Sequence, residues 1–387
     1  MVRTVKLSPL GSWFLLRSSL FAALAVLSAH GFAACASVAE DQAAPEVKSL
    51  RHVGAWVTYW DLARGLDRVA ATPGALDDAF LFLADLGPDG RPSLVAPENA
   101  ASGAVRDLRT AGVRTWLTIV NDRRGEQGRA ALKDADLVHG LLADPARRAA
   151  HALALVALAN GSGAAGLDVD YENLRPDDRD NYSAFVRELA DETHRRGLQL
   201  SVTVQPKTQE SRSVGPGAAD WKALCDSSDR LQIMLYNLHN SRTGPGPLAT
   251  KAWISSVLAY ATSQCDRARV VPVLKLGAME WGPDGHKELQ YADLVERLAA
   301  TRPEALQRDP DGGASFFRYE AADGTHTVYF EDAASVLEKI AWIEQLGFEA
   351  VVLWSLGRED PQLLPGLLGR KGYQTRISSP APIPQPE

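Results

Sequence analysis

The chain has 387 residues, 45% of them hydrophobic and 23% charged, which suits a globular protein with a large core in one large domain or two smaller ones. The formal net charge of −7 at pH 7, with no dense stripe of lysine and arginine, argues against a nucleic-acid partner. In chain order we predict an export signal (1–36), a linker (37–49), a folded domain (50–375) and a proline-rich, disordered tail (376–387).

The first segment has the pattern of an export signal. It contains three basic residues, Arg3, Lys6 and Arg17. The apolar run Ser18–Ala29 is too short for a comfortable membrane span. The small residues at 33–36 resemble a bacterial lipobox in which Cys35 is lipidated, and ordinary cleavage after Ala36 is the alternative. We therefore expect an exported protein. It is either a periplasmic or cell-envelope lipoprotein that meets the membrane only through this anchor, or a secreted protein.

Eight short runs rich in Val, Ile and Leu are typical of parallel strands that are covered on both faces. The predicted strands are Val53–Tyr59, Ala79–Ala84, Arg114–Val120, Ala165–Tyr171, Gln199–Val204, Leu231–Tyr236, Val270–Lys275 and Ala350–Ser355. Helices are predicted between most of them, most clearly over Pro145–Asn160 (with Asp144 as N-cap), Asp177–Arg196 and Ala333–Gln345. This alternation predicts the α/β class and a (β/α)8 TIM barrel. An open doubly wound sheet is the alternative, but no strand leads into the GxGxxG turn that would support it.

The spacing between the seventh and eighth predicted strands is too long for one helix. Two short runs, Phe316–Tyr319 and Thr327–Phe330, predict a hairpin across Asp323 and Gly324. We therefore predict a small α+β insertion at about 282–332, between strands 7 and 8 of the barrel.

Two cysteines remain besides Cys35. Cys225 and Cys265 each lie a few residues before a predicted strand, and these two strands are consecutive. Neighbouring strands lie about 4.8 Å apart, and an exported protein meets an oxidising environment. A Cys225–Cys265 disulfide is therefore predicted, with two buried free thiols as the alternative.

The fourth predicted strand carries the most informative pattern in the chain. Asp168, Asp170 and Glu172 alternate there with Leu167, Val169 and Tyr171. Because successive side chains of a strand point to opposite faces, the three carboxylates share one face. Burying neighbouring like charges is costly, so the pattern favours a site where one carboxyl holds a proton near neutral pH as an acid catalyst. We expect Asp170 to raise the pKa of Glu172 in this way. A solvated strand face and a divalent metal site are the alternatives; no histidine or further acid joins the three in a recognisable spacing.

Aromatic and hydrogen-bonding residues follow the predicted strands at their carboxyl ends, where barrels of this kind have their active sites. They are Tyr59, Trp60, Asn121, Gln205, Tyr236, Asn237, Trp281 and Trp354. Aromatic faces next to polar groups suit a sugar ring, because its C–H face stacks and its hydroxyls bond sideways. Each tryptophan and Tyr236 also have a simpler interpretation as packing residues, and Asn121 and Gln205 as turn caps.

The fourth strand resembles the signature of glycoside hydrolase family 18, which Gly166, Asp168, Asp170 and Glu172 match. Two other strands resemble the family's sixth strand, with its Met-x-Tyr pattern, and its last strand, which ends in Trp. They are the segments Gln232–Asn237, containing Met234, and Val351–Trp354. Gly244–Pro247 and Val328–Asp332 resemble the bacterial branch that includes spore-germination and cortex-lytic hydrolases. The resemblance covers Arg51 to Pro361.

The resemblance implies a retaining glycosidase that cleaves β-linked N-acetylglucosamine polymers, either chitin or peptidoglycan. It implies that Glu172 is the general acid and base, and that the substrate's own acetamido group is the nucleophile. Asp170 and Tyr236 would hold that group, Asp168 would support Asp170, and Trp354 would lie under the sugar. The polysaccharide is then the partner, no cofactor or metal is expected, and we expect a monomer.

Two residues depart from the family pattern. Ala165 stands where the family has its first Asp, which we expect to lie beneath the other two. Asn237 stands where the family has Asp after the Tyr. These departures keep open a second interpretation, a catalytically weak or inactive lectin-like barrel that binds such sugars.

Overall fold

The computed structural model describes residues 50–125, 130–301 and 305–378. The predicted export signal with Cys35, the linker, and positions 379–387 of the predicted tail lie outside the described residues. Within the described ranges, no helix is both long enough and apolar enough to cross a bilayer.

Eight parallel strands form a closed barrel, so the predicted (β/α)8 fold is confirmed. The barrel strands are β1 (His52–Thr58), β2 (Asp78–Leu86), β4 (Arg114–Arg124), β6 (Gly166–Asp170), β7 (Gln199–Val204), β8 (Arg230–Met234), β9 (Val270–Lys275) and β15 (Ala350–Leu356). The barrel closes because β15 pairs with both β9 and β1, and β2 pairs with β4. Two short strands, β3 (Pro92–Leu94) and β5 (Ala130–Ala131), extend it with antiparallel pairings to β2 and β4.

Helices connect most of the barrel strands. In the described residues they are α1 (Leu62–Ala71), α2 (Glu98–Thr110), α3 (Ala135–Leu142), α4 (Pro145–Ser162), α5 (Arg179–Arg195), α6 (Trp221–Ser227), α7 (Lys251–Gln264), α8 (Tyr291–Thr301), α9 (Ala333–Gln345) and α10 (Leu363–Ser378). The predicted cap of α4 is present, since the Asp144 carboxylate accepts from Arg147 N at 2.8 Å. Helix α10 extends to Ser378, so it includes the first residues of the segment predicted as a disordered tail.

Alternation along the strands separates two apolar layers. In β4, Leu117 and Ile119 belong to the large cluster between the strands and the helices. Trp116 and Val120 belong to a second cluster, which contains residues of opposite strands and therefore fills the barrel. Gly166 of β6 lies directly against the Trp116 ring, because a Cβ built on it would overlap the indole. The glycine of the carboxylate motif therefore makes room for a core tryptophan.

A second sheet separates β9 from β15. Its antiparallel strands are β10 (Gly277–Gly282), β11 (Gly285–Leu289), β12 (Gln307–Arg308), β13 (Ser315–Ala321) and β14 (Gly324–Glu331). The predicted hairpin is present as β13 and β14. The insertion begins earlier than the predicted 282, because β9 ends at Lys275 and Gly277, with φ of 93°, already starts the new sheet. Trp281 therefore lies in the insertion, and the expectation that it ends the seventh barrel strand is wrong.

The two cysteines are joined. Cys225 in α6 and Cys265 directly after α7 form a disulfide, with their Cα atoms 5.7 Å apart. We expect the double variant Cys225→Ser, Cys265→Ser to lose about 2–4 kcal/mol in free energy of unfolding, because the cross-link restricts the unfolded chain. Urea unfolding with and without reductant measures this. A wild type whose stability is insensitive to reductant, and equal to that of the variant, would contradict the prediction.

Candidate active site

Asp168 lies at the centre of the barrel with no exposed surface. Its carboxylate accepts from Thr118 Oγ1 at 3.0 Å, Thr203 Oγ1 at 3.1 Å and Gln232 Nε2 at 3.0 Å. Thr118 and Ser201 pair in register with Asp168 on the two neighbouring strands, so their side chains point into the barrel beside it. Burial raises the pKa of Asp168 to about 6, and the hydrogen bonds from Ser201 and the other donors limit the rise.

Asp170 lies one inward position further along β6. It is almost fully buried, and within the described residues its Oδ1 atom has no hydrogen-bond partner. Burial raises the pKa of Asp170 well above its ordinary value; the Lys133 ammonium opposes the rise, and the charges of Glu172 and Asp168 add to it. Asp170 is therefore a buried carboxyl that readily holds a proton and still has an oxygen free for a donor.

Glu172 follows β6 at the carboxyl end of the barrel. The Asn121 side chain holds its backbone from both sides: Asn121 Nδ2 donates to Glu172 O at 2.9 Å, and Glu172 N donates to Asn121 Oδ1 at 2.9 Å. Asn121 is fully buried and its amide is occupied. It therefore positions Glu172, and the prediction that it binds substrate directly is not supported by these contacts.

Lys133 is a member of the site that was not predicted from the sequence. It lies in the short loop between β5 and α3, and its ammonium forms an ion pair with Glu172 Oε1. Burial alone would lower the pKa of Lys133, but the charges of Asp170, Glu172 and Asp122 raise it. Its position in a loop after a barrel strand was the available signal, because such loops form the active-site end of the fold.

Tyr236 follows β8 and lies near the carboxylates. Burial raises the pKa of its phenol well above the ordinary value, and the charges of Glu172 and Asp170 add to the rise. The hydroxyl therefore remains a donor across the working pH range. Lys275 lies beside it, with its Nζ 5.7 Å from the ring centroid and 2.6 Å from Glu288 Oε1 of the insertion.

A row of aromatic rings extends from the barrel interior toward solvent. Trp354 is half-buried and lies 5.1 Å from Phe82, 5.6 Å from Trp56 and 6.4 Å from Trp60, measured between ring centroids. Tyr59 and Trp60 meet edge to face at 4.7 Å and are 44% and 49% exposed. Tyr236 packs against the same interior cluster as Trp354, so the row lies next to the carboxylates.

The remaining predicted site residues differ in accessibility. Met234 is buried at the end of β8, whereas Asn237 is exposed with φ of 63°. Gln205 Nε2 donates to Asn173 Oδ1 at 3.2 Å, next to Glu172 in sequence. Trp281 is buried in a cluster with Leu248 and Met279, against which Tyr236 packs, and it has little surface to offer a sugar.

The expectation that the missing first aspartate lies beneath Asp168 is wrong for this barrel. Ala165 is exposed, and it directly precedes Gly166 at the start of β6. By alternation it points away from the face that carries Asp168 and Asp170. The inward position beneath Asp168 belongs to Gly166. Ala165 therefore leaves the hydrogen bonds of Asp168 intact, and it no longer argues against catalysis.

Carboxylates dominate this site, and the described residues contain no group of three or more His, Cys, Asp or Glu side chains arranged to hold a metal ion.

The inward hydroxyls and amide of Thr118, Ser201, Thr203 and Gln232 were not predicted as site residues. Their signal was a polar side chain at alternate positions of apolar strands.

A family profile described as Glycosyl hydrolases family 18 matches residues 134–359. The match covers more than half of the chain and includes Glu172, Tyr236 and Trp354. Lys133 lies one residue before it.

The chain is similar to the cortical fragment-lytic enzyme of Bacillus subtilis (strain 168), with 29% identity over 283 residues, which are 70% of this chain and 62% of that enzyme. It thus spans less than two thirds of that relative's length. Among solved structures it is similar to a chitinase from Chromobacterium violaceum ATCC 12472, with 25% identity, a TM-score of 0.72, and coverage of 83% and 98% of the two chains. The Bacillus cereus spore cortex-lytic enzyme SleL has the same fold, with 23% identity, a TM-score of 0.71, and coverage of 84% and 75%.

Proposed function

Because the chain belongs to glycoside hydrolase family 18, we propose that it is a retaining glycosidase that cleaves β-linked N-acetylglucosamine polymers by substrate-assisted catalysis. One observation carries the proposal: Asp168 and Asp170 are buried on the inward face of β6, Glu172 follows the end of that strand, and Tyr236 and Trp354 pack against the same interior cluster. Burying two neighbouring carboxyls costs folding free energy, and a role in proton transfer at a bound sugar would explain why the protein contains them.

Glu172 is the proposed general acid. Its backbone is held by Asn121 at 2.9 Å on both sides, which places the carboxyl where β6 ends. In the first step Glu172 gives its proton to the glycosidic oxygen, and the bond between that oxygen and the anomeric carbon breaks. The leaving sugar departs as an alcohol, and Glu172 remains as a carboxylate.

The acetamido group of the substrate is the proposed nucleophile. Its carbonyl oxygen attacks the anomeric carbon and forms an oxazolinium ion. The unpartnered Oδ1 of Asp170 would accept the acetamido N–H, Asp168 would support Asp170 from beneath, and the Tyr236 hydroxyl would donate to the carbonyl oxygen. Glu172 then takes a proton from water. The water oxygen adds to the anomeric carbon and opens the oxazolinium ring, so the sugar product retains its anomeric configuration.

The aromatic row is the proposed sugar-binding surface. Trp354 would support the ring next to the broken bond, and the exposed faces of Tyr59 and Trp60 would stack on sugars further along the polymer. Gln205 and Asn237 lie at the ends of neighbouring strands, where hydroxyl or acetamido groups would reach them. Met234 would line the wall of the proposed sugar-binding cleft.

A lectin-like barrel is the second candidate function, and the Lys133–Glu172 ion pair is the observation that favours it. A glutamate paired with an ammonium has to leave that partner before it can carry a proton to substrate. Asn237, which lacks the charge of the family's Asp, points the same way.

Export to the cell envelope is part of the proposal. The disulfide between Cys225 and Cys265 supports it, because such bonds persist in oxidising compartments. The proposed lipid anchor at Cys35 would hold the enzyme close to peptidoglycan.

Hydrolysis assays separate the two candidates. We expect the purified protein to release new reducing ends from chitin oligosaccharides, peptidoglycan or both, and the first product seen by proton NMR to be the β-anomer. A thiazoline analogue of the oxazolinium ion should inhibit competitively. Tight sugar binding without any release would favour the lectin, and an α-anomer as first product would refute the retaining mechanism.

A further inference from the structure

Lys133 occupies an unusual place for a lysine in the proposed site. Its ammonium pairs with Glu172, which is the proposed acid, and its charge also acts on Asp170 and Asp122. The free protein therefore has a cation bound to the carboxylate of the proposed acid, and Lys133 has to release Glu172 before that carboxyl can contact a glycosidic oxygen.

The backbone of Lys133 is held in place while its side chain is free to change partners. Lys133 N donates to Asp122 Oδ1 at 2.9 Å, and the next residue, Asp134, caps α3 by accepting from Leu137 N at 2.9 Å. The Lys133 side chain is 25% exposed. A lysine ammonium is a point charge on a four-carbon stem, so rotation of the stem can carry it from one carboxylate to another within the cleft.

We propose that Lys133 is a specificity-determining residue that binds the carboxylate of an acidic N-acetylated sugar, such as the lactyl group of N-acetylmuramic acid. This rests on the proposed sugar site. When the substrate carboxylate takes the ammonium, Glu172 loses its ion-pair partner. The acidic sugar thereby frees the acid that will cleave its own chain. A neutral polymer such as chitin offers no carboxylate, so Lys133 stays on Glu172.

The surrounding charges fit this exchange. Glu172 is the carboxylate that forms the ion pair with Lys133, and Asp122 already accepts from the Lys133 backbone, so release of Glu172 breaks that ion pair. The second lysine of the cleft, Lys275, forms an ion pair with Glu288 of the insertion. In the described part of the cleft, Lys133 is therefore the cation for which a substrate carboxylate would compete directly with Glu172.

Two substitutions should move sugar affinity in opposite directions. The ligands are a disaccharide of N-acetylglucosamine and N-acetylmuramic acid, its methyl ester, and the neutral dimer of N-acetylglucosamine, all measured by calorimetry. Lys133→Met should weaken binding of the acidic disaccharide about 10- to 100-fold. Glu172→Gln should strengthen it, because Lys133 then lacks its ion-pair partner. The readout is the ratio of acidic to neutral affinity, which should fall in Lys133→Met, rise in Glu172→Gln and stay close to the wild-type value in Lys133→Arg.

The matched control is Lys222→Met. Lys222 is 65% exposed on α6 and pairs with Asp226, so its loss removes the same charge away from the cleft. An acidic-to-neutral affinity ratio that is the same in folded Lys133→Met and in wild type overturns the inference. These affinities do not require turnover. A wild type that binds the acidic sugar through Lys133 but releases no reducing ends therefore refutes the proposed hydrolysis and keeps the inference.

Discussion

Replacing Glu172 with Gln is expected to lower kcat about 10²- to 10⁴-fold on any polymer that the wild type cleaves, since a positioned general acid contributes that much. Gln has nearly the same shape but no proton to give to the glycosidic oxygen. The Asn121 hydrogen bonds go to the backbone of residue 172, so they should survive the change and keep the loop in place. Reducing-end release at saturating substrate measures the loss.

The control for this variant is Glu98→Gln, which removes a carboxylate from the exposed start of α2. It should retain wild-type kcat, and both variants should melt within a few degrees of the wild type. Full activity of folded Glu172→Gln would remove Glu172 from the mechanism. Transfer of the acid role to Asp170 would be the next hypothesis to test, because Asp170 also holds a proton readily.

The barrel and the carboxylate row were predictable because both depend on short-range periodicity. Apolar runs with helices between them indicate a parallel barrel, and alternation alone puts Asp168 and Asp170 on one face. The same alternation shows why Ala165 does not belong to that face. The expectation for Ala165 came from the family resemblance and was applied without the strand geometry.

The positions of Lys133 and Trp281 could not be predicted from the periodicity of the sequence. Lys133 meets Glu172, 39 positions away, because the chain after β4 returns as β5, which pairs antiparallel with the end of β4. Trp281 follows the seventh barrel strand closely in sequence, but Gly277 redirects the chain into a separate sheet. Both placements depend on the path of a loop, which a single sequence does not specify.

The opposite end of the barrel contains a charged cluster that serves stability. Asp78 at the start of β2 is 1% exposed, and its carboxylate accepts from Arg114 Nε at 2.6 Å, Arg230 Nη1 at 2.9 Å and Trp116 Nε1 at 3.0 Å. Both guanidinium groups also lie over the Trp116 ring, at 5.5 and 4.8 Å. One carboxylate therefore links β2 to β4 and, across the barrel interior, to β8.

Asp78→Ala is expected to lower the free energy of unfolding by about 3–5 kcal/mol, because it leaves two partly buried guanidinium groups without their shared carboxylate. Burial alone would raise the pKa of Asp78, but the hydrogen bond from Arg114 and the charge of Arg230 outweigh it and hold the pKa below its ordinary value. A carboxyl of lowered pKa adds stability above its unfolded pKa and loses it as the pH falls, so the difference between variant and wild type should narrow below about pH 4.

Urea unfolding at several pH values measures this difference. The control, Asp107→Ala, removes a carboxylate that is 66% exposed on α2 and should cost less than about 1 kcal/mol. A cost that grows in acid would contradict the lowered pKa of Asp78. A cost at Asp78 as small as at Asp107 would show that the two arginines are satisfied by solvent. In that case the Asp78 cluster would not stabilise the closed barrel on which the carboxylate row depends.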